Sequence, residues 1–184
     1  MTSLRKRLLA PRVRGSLLNP KSDGQFHARI SIALSPIAGA ASIILPLALG
    51  ESPFFYFFLG FFGCILGIIF SSDLDQEAAT YSERLFNGVP ILGTLWMVLW
   101  GLIWFPYAAL IPHRHALSHT PILSTAIRVI YFVLVVSLAS SLLNNLGISI
   151  SLPRIDALSA ASLFIGLCVS DTGHWLRDYK NLTI

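Results

Sequence analysis

Long runs of apolar residues alternate with short polar segments along the chain after its first 26 residues. The apolar runs extend over Ile30–Gly50, Phe54–Phe70, Val89–Ile111, Ile122–Leu146 and Ile155–Trp175. The first run has 21 residues, and a helix of that length extends about 31 Å, which matches the hydrocarbon thickness of a bilayer. The pattern predicts an all-α membrane protein with about four transmembrane helices.

Composition agrees with this interpretation. Of the 184 residues, 54% are hydrophobic and 12% are charged, and the mean hydropathy is +0.70. Water-soluble domains have about 25% charged residues. We therefore treat residues 27–184 as a single helical membrane domain that follows a basic N-terminal tail over residues 1–26.

Positive charge is concentrated in that tail and just after it. The first 29 residues contain a single acid, Asp23, and the basic residues Arg5, Lys6, Arg7, Arg12, Arg14, Lys21 and Arg29. Such a cluster beside an apolar run favours a cytoplasmic anchor on anionic lipid. Binding to nucleic acid is not expected of an arm tethered to a bilayer. A cleaved signal peptide ending near Ala48–Gly50 is the alternative, but the apolar run is long enough to span.

The third apolar run differs from the other four. Gly93, Gly101 and Pro106 interrupt it, and its tryptophans Trp96, Trp100 and Trp104 are typical of a membrane interface. We interpret Val89–Ile111 as a Trp-rich re-entrant or in-plane hairpin. If the other four runs each cross once, the polar clusters at their ends all emerge on one face, which the basic residues mark as cytoplasmic.

Residues able to bind a metal lie at those same ends. The histidines are His27, His113, His115, His119 and His174, and the neighbouring acids are Asp73, Asp75, Asp171 and Asp178. Imidazole and carboxylate donors from separate parts of a chain suit Zn, Mn or Fe. Their number exceeds the four ligands of a structural zinc and permits one ion or two. The simpler alternative is that these polar residues only mark the water boundary.

Spacing adds detail to this set. Asp171, His174 and Asp178 share one face of a helix. Arg114 lies between histidines, ahead of a helix N-terminus predicted at Thr120 and Pro121, where an anion is favoured. Arg128, a charged residue inside the fourth run, is near enough to the end of that run for its guanidinium to reach water. Cys64 and Cys168 are expected to be small buried hydrophobic residues.

Short motifs distributed from Gly24 to Asp178 carry a resemblance to known families. They are Gly24-x-x-His27, Ser72-Asp-Leu-Asp75, Trp104-Phe-Pro-Tyr107, His113-Arg-x-x-Leu-Ser-His119, Arg128-x-x-Tyr131 and His174-Trp-x-x-Asp178. The set resembles a family of bacterial, largely cyanobacterial membrane proteins described as metal-binding. It is also similar in motif order to the LexA-regulated, membrane-bound metal-dependent hydrolases.

The resemblance implies a set of metal ligands, namely His27, Asp73, Asp75, His113, His119, His174 and Asp178. His115 stands where the family pattern has a small residue, which leaves its role open. Asp171 has no clear counterpart in the family. The interval between Asp75 and His113 is longer than in the family, where it is too short to cross a membrane.

These features favour a metal-dependent hydrolase acting on a phosphoester or lipid headgroup at the membrane surface. In this hypothesis a divalent metal activates water, Arg114 binds the anion, and an unligated carboxylate, Asp171 or Asp75, accepts the proton. The expected location is the bacterial inner or thylakoid membrane, with the N-terminus and the metal site cytoplasmic. The alternatives are a non-enzymatic metal-binding structural or regulatory protein, and a metal or proton transporter, which would need polar groups near mid-membrane.

Overall fold

The structure, a computed structural model, describes residues 23–70, 74, 85, 92–111 and 120–178. These residues form helices joined by turns, and no strand occurs among them. The helices are α1 (Asp23–Ser42), α2 (Ile44–Ala48), α3 (Pro53–Leu66), α4 (Gly93–Leu110), α5 (Pro121–Asn145) and α6 (Ala157–Asp178). The prediction of an all-helical protein is confirmed for this part of the chain.

Local sequence explains where several helices begin and end. Gly50 has a φ of 78° and ends the turn after α2, since a left-handed backbone favours glycine. Pro53 and Pro121 occupy the first turns of α3 and α5, where a missing N–H costs nothing. Thr120 holds the predicted N-cap position of α5, although its side chain makes no capping hydrogen bond.

The first helix begins earlier than its apolar run. α1 starts at Asp23, so it includes the last four residues of the predicted tail, and His27, expected just before the first run, lies within the helix. The reason is that the polar residues Gln25, His27 and Ser31 are buried. The inward face of α1 is therefore polar and escapes a search for apolar runs.

Helices α1, α3 and α6 pack closely through small residues. On α6 these residues are spaced three and four apart, at Ser159, Ser162, Gly166, Ser170 and Gly173. A methyl group added at Gly63 of α3 would lie 2.6 Å from the carbonyl oxygen of Leu163. Small residues at such spacing let helix backbones approach, as they do in membrane helix pairs.

Hydroxyl groups fill the remaining space between these helices. Ser31 and Ser170 hydrogen-bond each other at 2.7 Å, and the thiol of Cys64 donates to the carbonyl oxygen of Ser31 at 3.2 Å. Ser42 donates to the carbonyl oxygen of Tyr56 at 2.7 Å. Both cysteines are free thiols; Cys64 is buried as predicted, whereas Cys168 is half-buried, contrary to the prediction.

The described part of the third apolar run, residues 92–111, forms one helix, so the predicted hairpin is wrong. That the run does not cross the membrane stays a prediction. α4 continues without a break from Gly93 to Leu110, through Gly101 and Pro106. The proline removes a single backbone hydrogen bond, which the rest of the helix tolerates. Part of the aromatic set that suggested an interface is buried, because Trp104 and Tyr107 form a core cluster with Leu74, whereas Trp96 is 54% exposed.

This cluster connects α4 to α5 and to the end of α3. The rings of Trp104 and Phe132 stack with their centroids 6.2 Å apart, and Phe70 meets both rings edge to face. The Tyr131 hydroxyl donates to the carbonyl oxygen of Ile103 at 2.5 Å. Tryptophan therefore serves here as a packing residue between helices.

The buried side chains are mostly polar and the exposed ones are largely apolar, which is the reverse of the distribution in a water-soluble domain. Among the residues described, fourteen polar or charged and seven hydrophobic side chains are buried. Large apolar side chains face outward, including Phe54 at 72%, Leu134 at 62% and Leu138 at 63% exposure. A water-soluble domain would bury such residues. Three helical stretches are long and apolar enough to cross a membrane, namely Gln25–Ala48, Gly93–Leu110 and Pro121–Asn145. The predicted count of four crossings stays a prediction.

Two alanines on α1 test the close packing. Ala38 is fully buried, and its carbonyl oxygen would lie 2.7 Å from a methyl group on Gly60, whereas Ala40 is exposed. We predict that Ala38→Leu lowers the free energy of unfolding by about 1–3 kcal/mol through overpacking. Ala40→Leu should leave it unchanged. Unfolding of both variants in detergent measures this, and equal effects would contradict the packing.

Candidate metal centre

Three helix ends meet at one end of the bundle. The first turns of α1 contact the last turns of α6 through His27 and His174, and the start of α5 contacts α6 through Arg128 and Asp171. The parity of the predicted crossings, which required that Val89–Ile111 does not cross, placed these ends on one face, and the structure brings them together.

The two histidines form a stacked pair. The imidazole rings of His27 and His174 have centroids 3.5 Å apart and planes 10° from parallel. Both residues are nearly buried: His27 is 7% exposed and His174 is 5% exposed. The Ser31 hydroxyl lies 3.1 Å from the carbonyl oxygen of His27 and also bonds Ser170. The hydrogen bond between α1 and α6 therefore lies one helical turn below the ring pair and fixes its register.

A buried ion pair lies beside the histidines. The Nη2 atom of Arg128 donates to Oδ2 of Asp171, and the Thr125 hydroxyl is hydrogen-bonded to the same oxygen. Arg128 is 1% exposed and Asp171 is 3% exposed. Asp171 precedes His174 by one helical turn, so the ion pair holds α5 against α6 directly below the stacked rings.

The expectation that Arg128 reaches water is wrong. Its guanidinium turns inward because Asp171 on the neighbouring helix supplies a countercharge within the bundle. Sequence reasoning missed this pair and Thr125 altogether. One feature of the sequence could have indicated the pair. The fourth apolar run carries the positive Arg128 less than two turns from its start, and the fifth carries the negative Asp171 about one turn from its end.

The other predicted site residues are not placed. Asp73, Asp75, His113, Arg114, His115 and His119 lie outside the described residues. Asp178 is the last residue of α6, and its side chain lies outside the description as well. Within the described part of the chain, no group of three His, Cys, Asp or Glu side chains could hold a metal ion.

The described donor groups are of the kinds that bind metal ions, but they are too few to complete a metal site. Neutral imidazole is the commonest protein ligand for zinc and similar ions. His27 and His174 supply two imidazoles in a nearly buried position, and a closed site needs four ligands. Asp171 already accepts from Arg128 and Thr125. Further ligands would have to come from elsewhere in the chain.

Ring geometry bears on the number of ions. A metal ion lies close to the plane of the imidazole that binds it. The planes of His27 and His174 are nearly parallel and the rings are 3.5 Å apart, so the two planes do not converge on one point. The arrangement suits one ion for each ring better than one shared ion. The separation of the rings is similar to the distance between the two ions of a two-metal site, which is about 3.5–4 Å.

The ion pair gives a test by double substitution. We predict that Arg128→Met and Asp171→Leu each lower the free energy of unfolding by about 3–5 kcal/mol, because each leaves an uncompensated buried charge. The double variant should lose clearly less than the sum of the two, since it removes both charges. Unfolding in detergent measures all three, with the exposed Arg154→Met as a neutral control. Strictly additive losses would contradict the pairing.

Comparison with known proteins supports metal binding by the chain as a whole. No curated protein and no solved structure matches the chain. A family model described as "Uncharacterized metal-binding protein (DUF2227)" matches residues 22–183, which include all six helices and both stacked histidines. The chain therefore belongs to this family of metal-binding proteins.

Proposed function

We propose that the protein is an integral membrane, metal-dependent hydrolase that acts on a phosphoester or lipid headgroup at the membrane surface. The observation that carries the proposal is the stacked, nearly buried pair His27 and His174, held at the end of a bundle with an apolar exterior. The family to which the chain belongs supports the metal. The reaction is our own inference.

The distribution of side chains supports a membrane location. Serine and glycine fill the interior of the α1, α3 and α6 group, and phenylalanine and leucine cover the outside. Such an exterior suits hydrocarbon, where helices associate through small residues and hydrogen bonds. The basic tail favours a cytoplasmic orientation at an inner or thylakoid membrane, with the tail on anionic lipid.

We propose that the stacked histidines bind metal together with the other family-type ligands. These are Asp73, Asp75, His113, His119 and Asp178, which flank the ends of α3, α5 and α6 in the sequence. Zn, Mn and Fe all accept such a mixture of nitrogen and oxygen donors. The parallel ring planes favour two ions over one.

In the proposed reaction the metal and each of the named residues have a separate role. A metal bound at this site supplies a Lewis acid that lowers the pKa of water towards about 7. Arg114 binds the anionic oxygens of the substrate with its planar guanidinium. The carboxylate oxygen of Asp75 that does not bind metal is the favoured proton acceptor, because Oδ2 of Asp171 is occupied by Arg128 and Thr125. Asp171 instead acts as a positioning residue that fixes the turn of α6 carrying His174.

A non-enzymatic role is the competing proposal. The centre joins the ends of α1, α5 and α6, so a metal there would also stabilise the bundle without any reaction. Transport is less well supported. Ser31, Ser42 and Ser170 lie in the interior, but their hydroxyl groups are hydrogen-bonded within a close-packed interface and line no path.

Metal analysis of purified protein tests the site. We predict that wild-type protein contains divalent metal and that His27→Ala and His174→Asn each lower the metal content by half or more, because each deletes a ligand. His115→Ala is the matched control and should retain the wild-type amount. Elemental analysis of the proteins in detergent gives the metal content. Retention of metal in both ligand variants would refute the site.

Arg114 separates the enzyme from the structural alternative. In a hydrolase, Arg114→Ala should reduce turnover of a phosphoester by about a hundredfold, the usual loss on removing one charge-stabilising donor. Its metal content and unfolding temperature should not change. Arg154→Ala, at the exposed turn before α6, is the control. Turnover that is equal in the two variants, or absent in the metal-loaded wild-type protein, would contradict the hydrolase.

A further inference from the structure

The end of α6 meets the start of α1 at a glycine. Gly173 is buried and directly precedes His174 in the chain. A methyl group added at Gly173 would lie 2.5 Å from Cγ2 of Ile30 and 2.7 Å from Cδ1 of Leu34. Carbon atoms in contact are ordinarily about 3.5–4.0 Å apart. No side chain therefore fits between the two helices at this position.

The side chains that fill this space belong to the helix of the other histidine. Ile30 follows His27 by nearly one helical turn, and Leu34 follows it by about two. Side chains on a helix lean towards its N-terminus, so those of Ile30 and Leu34 extend from α1 towards the level of the ring pair. Gly173 therefore determines how closely α1 approaches α6 beside the rings.

This approach determines the separation of the two imidazoles. The rings of His27 and His174 have centroids 3.5 Å apart, which is van der Waals contact. A methyl group at Gly173 would have to move about 1 Å away from Ile30 to reach an ordinary contact distance. A displacement of α1 by that amount would end the contact between the rings.

Rotation of the Ile30 side chain does not relieve the clash. Its Cγ2 atom is bonded to the Cβ of a β-branched residue, whose χ1 angle is strongly restricted in a helix. The tip of Leu34 is less constrained, because Cδ1 lies one bond further out and can turn into another rotamer. The effect of a larger residue at position 173 therefore depends mainly on Ile30.

We propose that Gly173 is a positioning residue of the metal centre, which holds the imidazoles of His27 and His174 at a separation that suits a two-metal site. The observed 3.5 Å between the rings is close to the distance between the ions of such a site, which is about 3.5–4 Å. The inference rests on the proposed function and adds the residue that sets the spacing of two of its ligands. Gly173 acts through the absence of a side chain and supplies no ligand itself.

Nuclear magnetic resonance of metal-free protein in detergent, isotope-labelled at its histidines, measures the ring spacing. In the stacked pair each ring lies over the face of the other, so the ring protons are shifted upfield by the neighbouring ring current. We expect this shift for both histidines of the wild-type protein, assigned with His27→Ala and His174→Asn. Gly173→Ala should remove most of the shift, because it separates the rings.

Substitutions at Ile30 separate ring spacing from general damage to the fold. Ile30→Ala removes Cγ2, so its combination with Gly173→Ala should restore the wild-type shift. Ile30→Val keeps both γ carbons and should not restore it. The double variant with Ile30→Ala should fold even if Gly173→Ala alone does not, because the clash is relieved. Loss of the shift from that double variant, or restoration by Ile30→Val, would overturn the proposal.

Gly39→Ala is the matched control. Gly39 is also on α1, about three helical turns from His27, and a methyl group there would lie 2.8 Å from the ring of Phe57 on α3. This substitution disturbs glycine packing of the same kind away from the contact with Gly173, so the ring shift should not change. Equal loss of the shift in Gly39→Ala and Gly173→Ala would contradict a positioning role.

Zinc binding measures the consequence for the metal centre. Groups that orient metal ligands typically contribute about 10–100-fold to metal affinity. Gly173→Ala should therefore weaken zinc binding by about tenfold or more, and the addition of Ile30→Ala should recover the loss. Equal zinc affinities of wild-type protein and Gly173→Ala would overturn the role of this glycine in the centre.

These outcomes are distinguishable from failure of the proposed function, because neither measurement depends on turnover. Zinc affinity that depends on Gly173 in a protein without phosphoester hydrolysis would support the positioning role and remove the enzyme. Turnover in a protein whose ring shift and zinc affinity are insensitive to Gly173→Ala would remove the positioning role and leave the enzyme.

Discussion

Close approach of α1, α3 and α6 is the constraint on which the rest of the structure depends. Glycine and serine at the contacts leave no room for larger side chains, so the three helices have one possible register. That register joins Ser31 to Ser170 and, one turn further along, stacks His27 on His174. The geometry of the candidate metal centre is therefore set by residues that never touch it.

The ion pair extends this constraint to α5. Desolvation of Arg128 and Asp171 is costly, and their pairing offsets the cost only when the two helices are correctly placed. A buried ion pair of this kind determines how the two helices are placed more than it raises the free energy of unfolding. It brings the N-terminus of α5 beside the histidines, where the segment carrying Arg114 and His119 joins that helix in the sequence.

The fold was largely predictable because its helices follow apolar runs. Polar positions on inward faces were the exception. The start of α1 at Asp23 and the inward turn of Arg128 both depend on partners from distant parts of the chain, which periodicity does not reveal. The hairpin prediction failed for the same reason, since Trp104 and Tyr107 pack against α5 and their own helix continues through Gly101 and Pro106.

Two of the predicted site residues, His27 and His174, lie together in the structure, and their geometry was not predictable. Histidines at the ends of apolar runs indicated that His27 and His174 belong together, and the structure stacks them. Nothing in the spacing of the sequence indicates that their ring planes are parallel. The role of Asp171 also changes, from a candidate proton acceptor to the partner of Arg128 and Thr125.

X-ray absorption spectroscopy of the zinc-loaded protein tests the central claim most directly. Two zinc ions bound by the stacked histidines should give imidazole scattering, a first shell of nitrogen and oxygen at about 2.0–2.1 Å, and a metal–metal distance of about 3.5–4 Å. The metal–metal signal should be absent from His27→Ala. A spectrum without imidazole scattering, or one unchanged by that substitution, would contradict a metal centre built on the stacked histidines.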